Sequence, residues 1–274
     1  MKPSHPSRRQ FGLTLASATA LAASGMLERA FAQTTSSAYD VVIKRGVLRV
    51  GWAPWFPYAF RDPKSNQVAG IAADLLKDLA ASLKVELRLV EDSWGTMIAG
   101  LQADKFDMLM PMAVTPPREA AATFSNNFMK TDLGVMIRPA DKAKYGTWHD
   151  LDHDGVNIAA AMGSNTALYA KQTFKKARIV EMKGEPESVT AVITGKADAW
   201  ASTYSAFTGS APGRSQLLVL PGEPFAYSPV ALVVRKGDTT MVDQINAFLS
   251  QYRTSGALLA AVERQGLPAT DILK

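Results

Sequence analysis

K-F-D-M-L-M-P-M-A-V-T-P-P-R, residues 105–118, is the stretch that decides how this chain folds. Met108, Leu109, Met110 and Met112 form an apolar run of strand length. Pro111 within it predicts a strand that is ending or lies at a sheet edge, because proline has no N–H to give to a ladder. Thr115-Pro116-Pro117 predicts an extended or turn conformation, since each proline fixes its own φ and biases the residue before it away from helix. Open α/β sheets hold their ligands in loops at the carboxyl ends of strands. Arg118 falls in such a loop, and its planar fork of N–H donors matches a carboxylate. The local pattern also allows a surface arginine paired with Glu119.

Working outward, strands and helices alternate. Residues 47–52 read as a strand running into an aromatic loop, 52–60, punctuated by Pro54 and Pro57. Asp62 to Asn66 is a turn by composition, 72–83 has apolar residues at helical spacing, and 85–89 alternates as a strand does. A helix over 94–103 leads back to the strand at Asp107, completing β-α-β-α-β, the mark of a mostly parallel sheet. A second set follows: a strand at 156–161, a turn at Gly163-Ser164-Asn165-Thr166 that caps a helix to about 176, and a strand at 178–182. A helix from Pro186 to Gly195 and a strand at 197–202 come next, then a polar loop around 209–215. Strands at 217–220 and 227–235 and helices over 239–253 and 256–265 end the chain. Two β-α-β halves imply two similar lobes.

The 274 residues are 47% hydrophobic and 20% charged, ordinary for a globular protein, with room for one large domain or two modest ones. The formal charge is +5, of which residues 1–32 carry +3 through Lys2, Arg8, Arg9 and Arg29 against Glu28. The remaining +2 is too balanced to argue for nucleic acid or an anionic membrane surface. With no cysteine, the chain can form no disulfide, zinc-thiolate site or lipidated N-terminal cysteine. His5, His149 and His153 have no metal-ligand spacing, so neither a metal nor another cofactor is expected. Ser7-Arg8-Arg9-Gln10-Phe11, a weakly apolar stretch and Ala30-Phe31-Ala32 resemble a twin-arginine export signal, although Gly12 departs from its pattern and leaves the ordinary secretory route open. Either route implies cleavage near Ala32 and a mature protein in the periplasm. No apolar stretch has convincing spanning length, so the chain is not expected to cross a membrane.

The order G-V-L-R-V-G (46–51), G-I-A-A-D-L (70–75), S-W (93–94), G-L-Q-A-D-K-F-D (100–107), T-P-P-R (115–118), F-S (124–125) and G-K-A-D-A (195–199) is similar to the family 3 extracellular solute-binding proteins over about residues 44–265. These serve ABC importers of polar amino acids and related molecules. The resemblance implies an α/β type II periplasmic-binding fold of two similar lobes joined by two crossing hinge segments. Lobe 1 would be about 33–138 plus 227–274, and lobe 2 about 139–226. It also implies a monomer, not an enzyme, that carries a small carboxylate-bearing ligand to a membrane permease. Arg118 falls where the family clamps the carboxylate, with Thr115 opening its motif, and Ser164, Asn165 and Thr166 fall where lobe 2 offers helix-start amides. Phe56 and Trp94 lie where aromatic rings flank the ligand, with Trp52, Trp55 and Tyr58 in the same loop; buried structural aromatics are the alternative, above all for Trp55.

Three departures bear on the ligand. Thr203 stands where the family usually has the aspartate that meets an α-ammonium, Ala53 replaces a frequent aspartate, and Ala113 replaces a small polar residue. A buried ammonium without a carboxylate partner costs several kcal/mol. The expected ligand is therefore a carboxylate whose other end is apolar, aromatic or a diffuse cation resting on Trp52 and Trp94. The second lobe also resembles cyclohexadienyl dehydratases, which eliminate water and carbon dioxide from prephenate or arogenate on the same fold. Their proton-donating glutamate is replaced here by Ala206, which disfavours that reading. The sequence has no G-x-S-x-G or cysteine nucleophile for a hydrolase. A sensory receptor in place of a permease fits the sequence equally well.

Overall fold

The computed structural model describes residues 37–207 and 214–273. The leader over 1–32 and residues 208–213 of the polar loop lie outside the described residues. In chain order the strands are β1 (Val47–Trp52), β2 (Phe60–Arg61), β3 (Val68–Ala69), β4 (Glu86–Glu91), β5 (Met108–Ala113), β6 (Ala122–Phe124), β7 (Met129–Ile137), β8 (Asn157–Ala161), β9 (Arg178–Met182), β10 (Ala199–Thr203), β11 (Leu218–Val219) and β12 (Ala226–Arg235). The helices are α1 (Ala38–Arg45), α2 (Ile71–Ser82), α3 (Met97–Gln102), α4 (Pro116–Ala121), α5 (Asn165–Thr173), α6 (Glu185–Ile193), α7 (Thr239–Thr254) and α8 (Ala257–Arg264).

One continuous sheet runs in the order β4-β1-β5-β12-β7-β10-β8-β9. Its two ends are parallel, as the crossover helices require, and its middle is antiparallel. The middle is where the lobes join. Residues 226–230 of β12 pair with 129–133 of β7, after which β12 continues along β5 and β7 continues along β10. Two strands thus cross from one lobe to the other. The first lobe packs Leu48, Leu75, Leu76, Leu79, Phe106, Leu109, Leu232 and Ile245 into one buried core. The second has separate cores, one on Leu133, Ile158, Phe174 and Leu220, the other on Met136, Val192, Trp200 and Phe207. The two-lobed α/β architecture expected from the alternating pattern is the one observed.

Four local features differ from the sequence reading. Pro111 does not end β5 or sit at an edge, because β5 lies between β1 and β12. Its pairing with β1 stops at Leu109, and on the other side the register shifts so that Met110 and Pro111 face Leu232 alone. The irregularity absorbs the missing N–H. Thr115 is extended, as expected before proline, but Pro116 and Pro117 start α4 rather than a turn. The first helical turn needs no N–H from them. Residues 94–96 form a turn ahead of a shorter α3. The sequence reading also omitted α1, whose cap Ser37 accepts from Tyr39 N at 3.1 Å and donates to Asp238 Oδ1 at 2.7 Å.

Asp107 ties α1, β1 and β5 together. It is 1% exposed, accepts from Arg49 N at 2.7 Å and Arg49 Nη2 at 2.9 Å, and also pairs with Arg45. Removing it leaves the Arg49 amide without its acceptor and takes from Arg45 and Arg49 the carboxylate they share. Asp107→Ala is expected to lower stability by about 2–3 kcal/mol, read as a lower urea midpoint at an unchanged slope.

Candidate ligand-binding site

The site begins at the end of β5. Ala113 closes that strand, Thr115 leads into α4, and the first helical turn carries Arg118 inward. Arg118 is only 8% exposed. Its Nη1 donates to Ala113 O at 2.8 Å and its Nη2 to Gly163 O at 3.1 Å, while its Cζ lies 5.5 Å from the centre of the Trp94 ring. Among the described residues no carboxylate pairs with it, and burial pulls its pKa down to about 10. Trp94 stands in the Asp92–Thr96 turn, which Asp92 holds by accepting from Ser93 N at 2.7 Å.

The second lobe meets this surface with helix starts. Gly163 takes φ +74 in the turn after β8, and Ser164 caps α5 by accepting from Ala167 N at 3.0 Å. Asn165 donates to Ser228 Oγ on β12 at 3.3 Å, and Thr166 is buried. Trp55 reaches across from the first lobe, donating from Nε1 to Thr203 Oγ1 at 3.2 Å. Its ring stacks on Tyr58 at 3.8 Å and meets Trp94 edge-on at 5.8 Å. Glu185, the first residue of α6, accepts from Ser202 Oγ at 2.9 Å and from the Phe56 amide. Burial pushes its pKa up to about 7 against those two hydrogen bonds, which act to lower it.

Trp55, Trp94, Ala113, Ser164, Asn165, Thr166, Glu185 and Thr203 enclose a small cavity of about 10 Å³. Arg118 lies against its Ala113 and Trp94 wall. Of the residues singled out from sequence, Trp94, Ala113, Ser164, Asn165, Thr166 and Thr203 come together here, with Arg118 beside them. Three do not reach the cavity. Trp52 is 1% exposed in the first-lobe core with Arg61 over its ring, because β1 still runs through it. Phe56 packs on Phe60 and lends the site only its amide. Thr115 is buried behind the wall. Trp55, expected to be structural, lines the cavity instead. Glu185 was missed, although it lies immediately before the Pro186 that marks the helix start. Trp200 and Tyr204 pack with the second-lobe core around Phe207.

The geometry defines a class: a two-lobed α/β protein whose lobes meet over a small cleft walled by aromatic rings, hydroxyls, a partly buried carboxylate and, beside them, a buried guanidinium. The profile of the bacterial extracellular solute-binding proteins, family 3, matches residues 48–265, and the chain belongs to that family. It is similar to a cyclohexadienyl dehydratase of Pseudomonas aeruginosa, 26% identical over 250 residues that cover 89% of this chain and 91% of that protein. It is also similar to an ABC transporter glutamine-binding protein of Bacillus subtilis, 23% identical over 203 residues covering 73% of each. Among solved structures, an ancestral amino acid-binding protein, a precursor of cyclohexadienyl dehydratase, matches with a TM-score of 0.76 and 29% identity, covering 84% of this chain and 99% of that one. Among the described residues no helix is long and apolar enough to cross a membrane.

Gly163 sets how closely the lobes approach. A Cβ there would lie 2.6 Å from Gly95 Cα and 2.7 Å from Gly95 N, on a backbone at φ +74 that already disfavours a side chain. Gly163→Ala is expected to hold the cleft open and weaken ligand binding at least about tenfold. Small-angle scattering should show a larger radius of gyration than for the wild type.

Proposed function

We propose that this is a periplasmic solute-binding protein that captures a small carboxylate-bearing ligand, an amino acid or a close derivative, and delivers it to the permease of an ABC importer. The observation that carries the reading is Arg118, a buried guanidinium whose hydrogen bonds go to carbonyls, one from each lobe. A full positive charge held there without an acid calls for an anion from outside the chain, and a bidentate carboxylate fits the fork. Ser164, Asn165 and Thr166 at the start of α5 complete the anion site, and Trp55 and Trp94 wall the rest. Family membership and the likeness to amino acid-binding proteins support the same ligand class. The protein acts as a monomer whose leader is removed near Ala32. Its lobes divide where β7 and β12 cross between them, a few residues before 138 and close to 226, since Leu133 and Met136 already pack in the second-lobe cores.

The likeness to a dehydratase raises elimination from prephenate as a second reading. Ala206 is 0% exposed and supplies only its amide, to Thr203 Oγ1 at 3.3 Å, so no acid stands at the place of the enzyme's proton donor. The acid lining the cavity, Glu185, comes from a different element. Incubation with prephenate is expected to yield no phenylpyruvate absorbance above background, and sustained turnover would overturn the binding-protein reading.

Arg118→Ala is expected to weaken carboxylate binding at least about a hundredfold, some 2.7 kcal/mol, by calorimetric titration. Its Tm should stay within about 3 °C of wild type, because removing an unpaired buried charge offsets the two lost hydrogen bonds. Loss of the fold with loss of binding would assign Arg118 a structural role.

A further inference from the structure

Glu185 stands apart from the other carboxylates of the protein. The carboxylates buried elsewhere are paired with cations, Asp107 with Arg45 and Arg49 and Asp141 with Arg138 and Lys144. Glu185 lines the ligand cavity, and among the described residues no cation pairs with it. The other residues of that lining, Trp55, Trp94, Ala113, Ser164, Asn165, Thr166 and Thr203, carry no charge. The groups that hold it are the Ser202 hydroxyl on β10 and the Phe56 amide from the first-lobe loop, both neutral donors. Two hydrogen bonds leave several acceptor positions on a carboxylate open. Thr203 does not compete for a cation, since its hydroxyl already accepts from Trp55 Nε1 and the Ala206 amide and shares a hydrogen bond with Ser205.

Building on the carboxylate reading of Arg118, we propose that Glu185 is the specificity-determining residue of the cleft, receiving a protonated nitrogen of the ligand, so that the substrate class is a zwitterion rather than a simple carboxylic acid. The cleft then neutralises both ends of one molecule: the guanidinium on α4 takes the carboxylate, and the acid at the start of α6 takes the ammonium. The aromatic faces of Trp55 and Trp94 suit the methylene groups between them and add cation–π attraction. A carboxylate on α6 therefore does the work expected of an acid at position 203. This revises the expectation of an uncharged or diffusely charged far end resting on Trp52 and Trp94.

The test uses the mature full-length protein and ligand pairs that differ only in an ammonium replaced by a hydroxyl. These are L-phenylalanine with L-3-phenyllactate, 4-aminobutyrate with 4-hydroxybutyrate, 5-aminovalerate with 5-hydroxyvalerate, and L-lysine with 6-hydroxy-L-norleucine. At pH 8 the ammonium member of at least one pair should bind about tenfold or more tighter by calorimetry, and in Glu185→Gln that preference should shrink to within about threefold. Glu185 titrates near 7, so the wild-type preference should fade as the pH drops below that value. At pH 6.5, titrations in buffers of different ionisation enthalpy should show proton release for the ammonium ligand, absent in Glu185→Gln. The wild-type comparison and proton count stand even if the variant misfolds. Hydroxyl members binding as tightly as their partners, or a preference that survives in Glu185→Gln, would overturn the inference while leaving Arg118 in its role. If neither member of any pair binds, the carboxylate reading falls and this one with it.

Discussion

A positive charge taken out of water without a negative one beside it is the constraint around which this cleft is built. Moving such a charge into a protein interior costs several kcal/mol even after relaxation. The protein offsets part of that with two backbone carbonyls and the face of Trp94, and the depressed pKa of Arg118 shows that part remains. Carbonyl dipoles are weaker partners than a carboxylate, so the guanidinium is held in place yet not satisfied. Because one of those carbonyls belongs to Gly163 in the other lobe, the side chain proposed to receive an anion also bridges the gap between lobes. Charge burial and lobe contact are one arrangement, and each depends on the other.

The residues around that charge share a position in the fold. Trp55, Trp94, Ser164 and Glu185 each lie three residues beyond the last residue of β1, β4, β8 and β9. Ala113 and Thr203 are themselves the last residues of β5 and β10. The cleft is thus assembled from the carboxyl ends of six strands, three in each lobe, which is where open α/β sheets place their ligands. Helix starts follow directly after β5, β8 and β9, so their partial positive charge is delivered to the same place.

That regularity explains what was legible in the sequence. The strand at 108–113 could be read directly from its apolar run. The local pattern left Arg118 open between the site and the surface, and it, Trp94 and the Gly163–Thr166 turn were placed at the site through the order of family motifs. Trp52 and Trp55 were confused because both are aromatic and only the end of β1 separates them: Trp52 is still strand and faces the core, whereas Trp55 is loop and faces the cleft. Glu185 was passed over because a carboxylate in a first helical turn is usually a solvated surface charge favoured by the helix dipole. Its place in the cavity wall depends on Trp55 and the Phe56 amide, which arrive from well over a hundred residues away. No local pattern carries that contact. Pro111 failed for a similar reason, since the shift in β12 that accommodates it is a property of the partner strand.

On the proposed roles of Arg118 and Glu185, two unpaired charges of opposite sign would also reject ligands that offer only one. A monocarboxylate would satisfy Arg118 but leave Glu185 in the cavity wall without a counter-charge, so the acid would have to take up a proton or remain poorly solvated. A dicarboxylate adds repulsion at the same place, and a simple amine leaves the guanidinium unmatched. Each wrong ligand meets a penalty from a group that the right one neutralises, which is how an interface discriminates without a larger contact area.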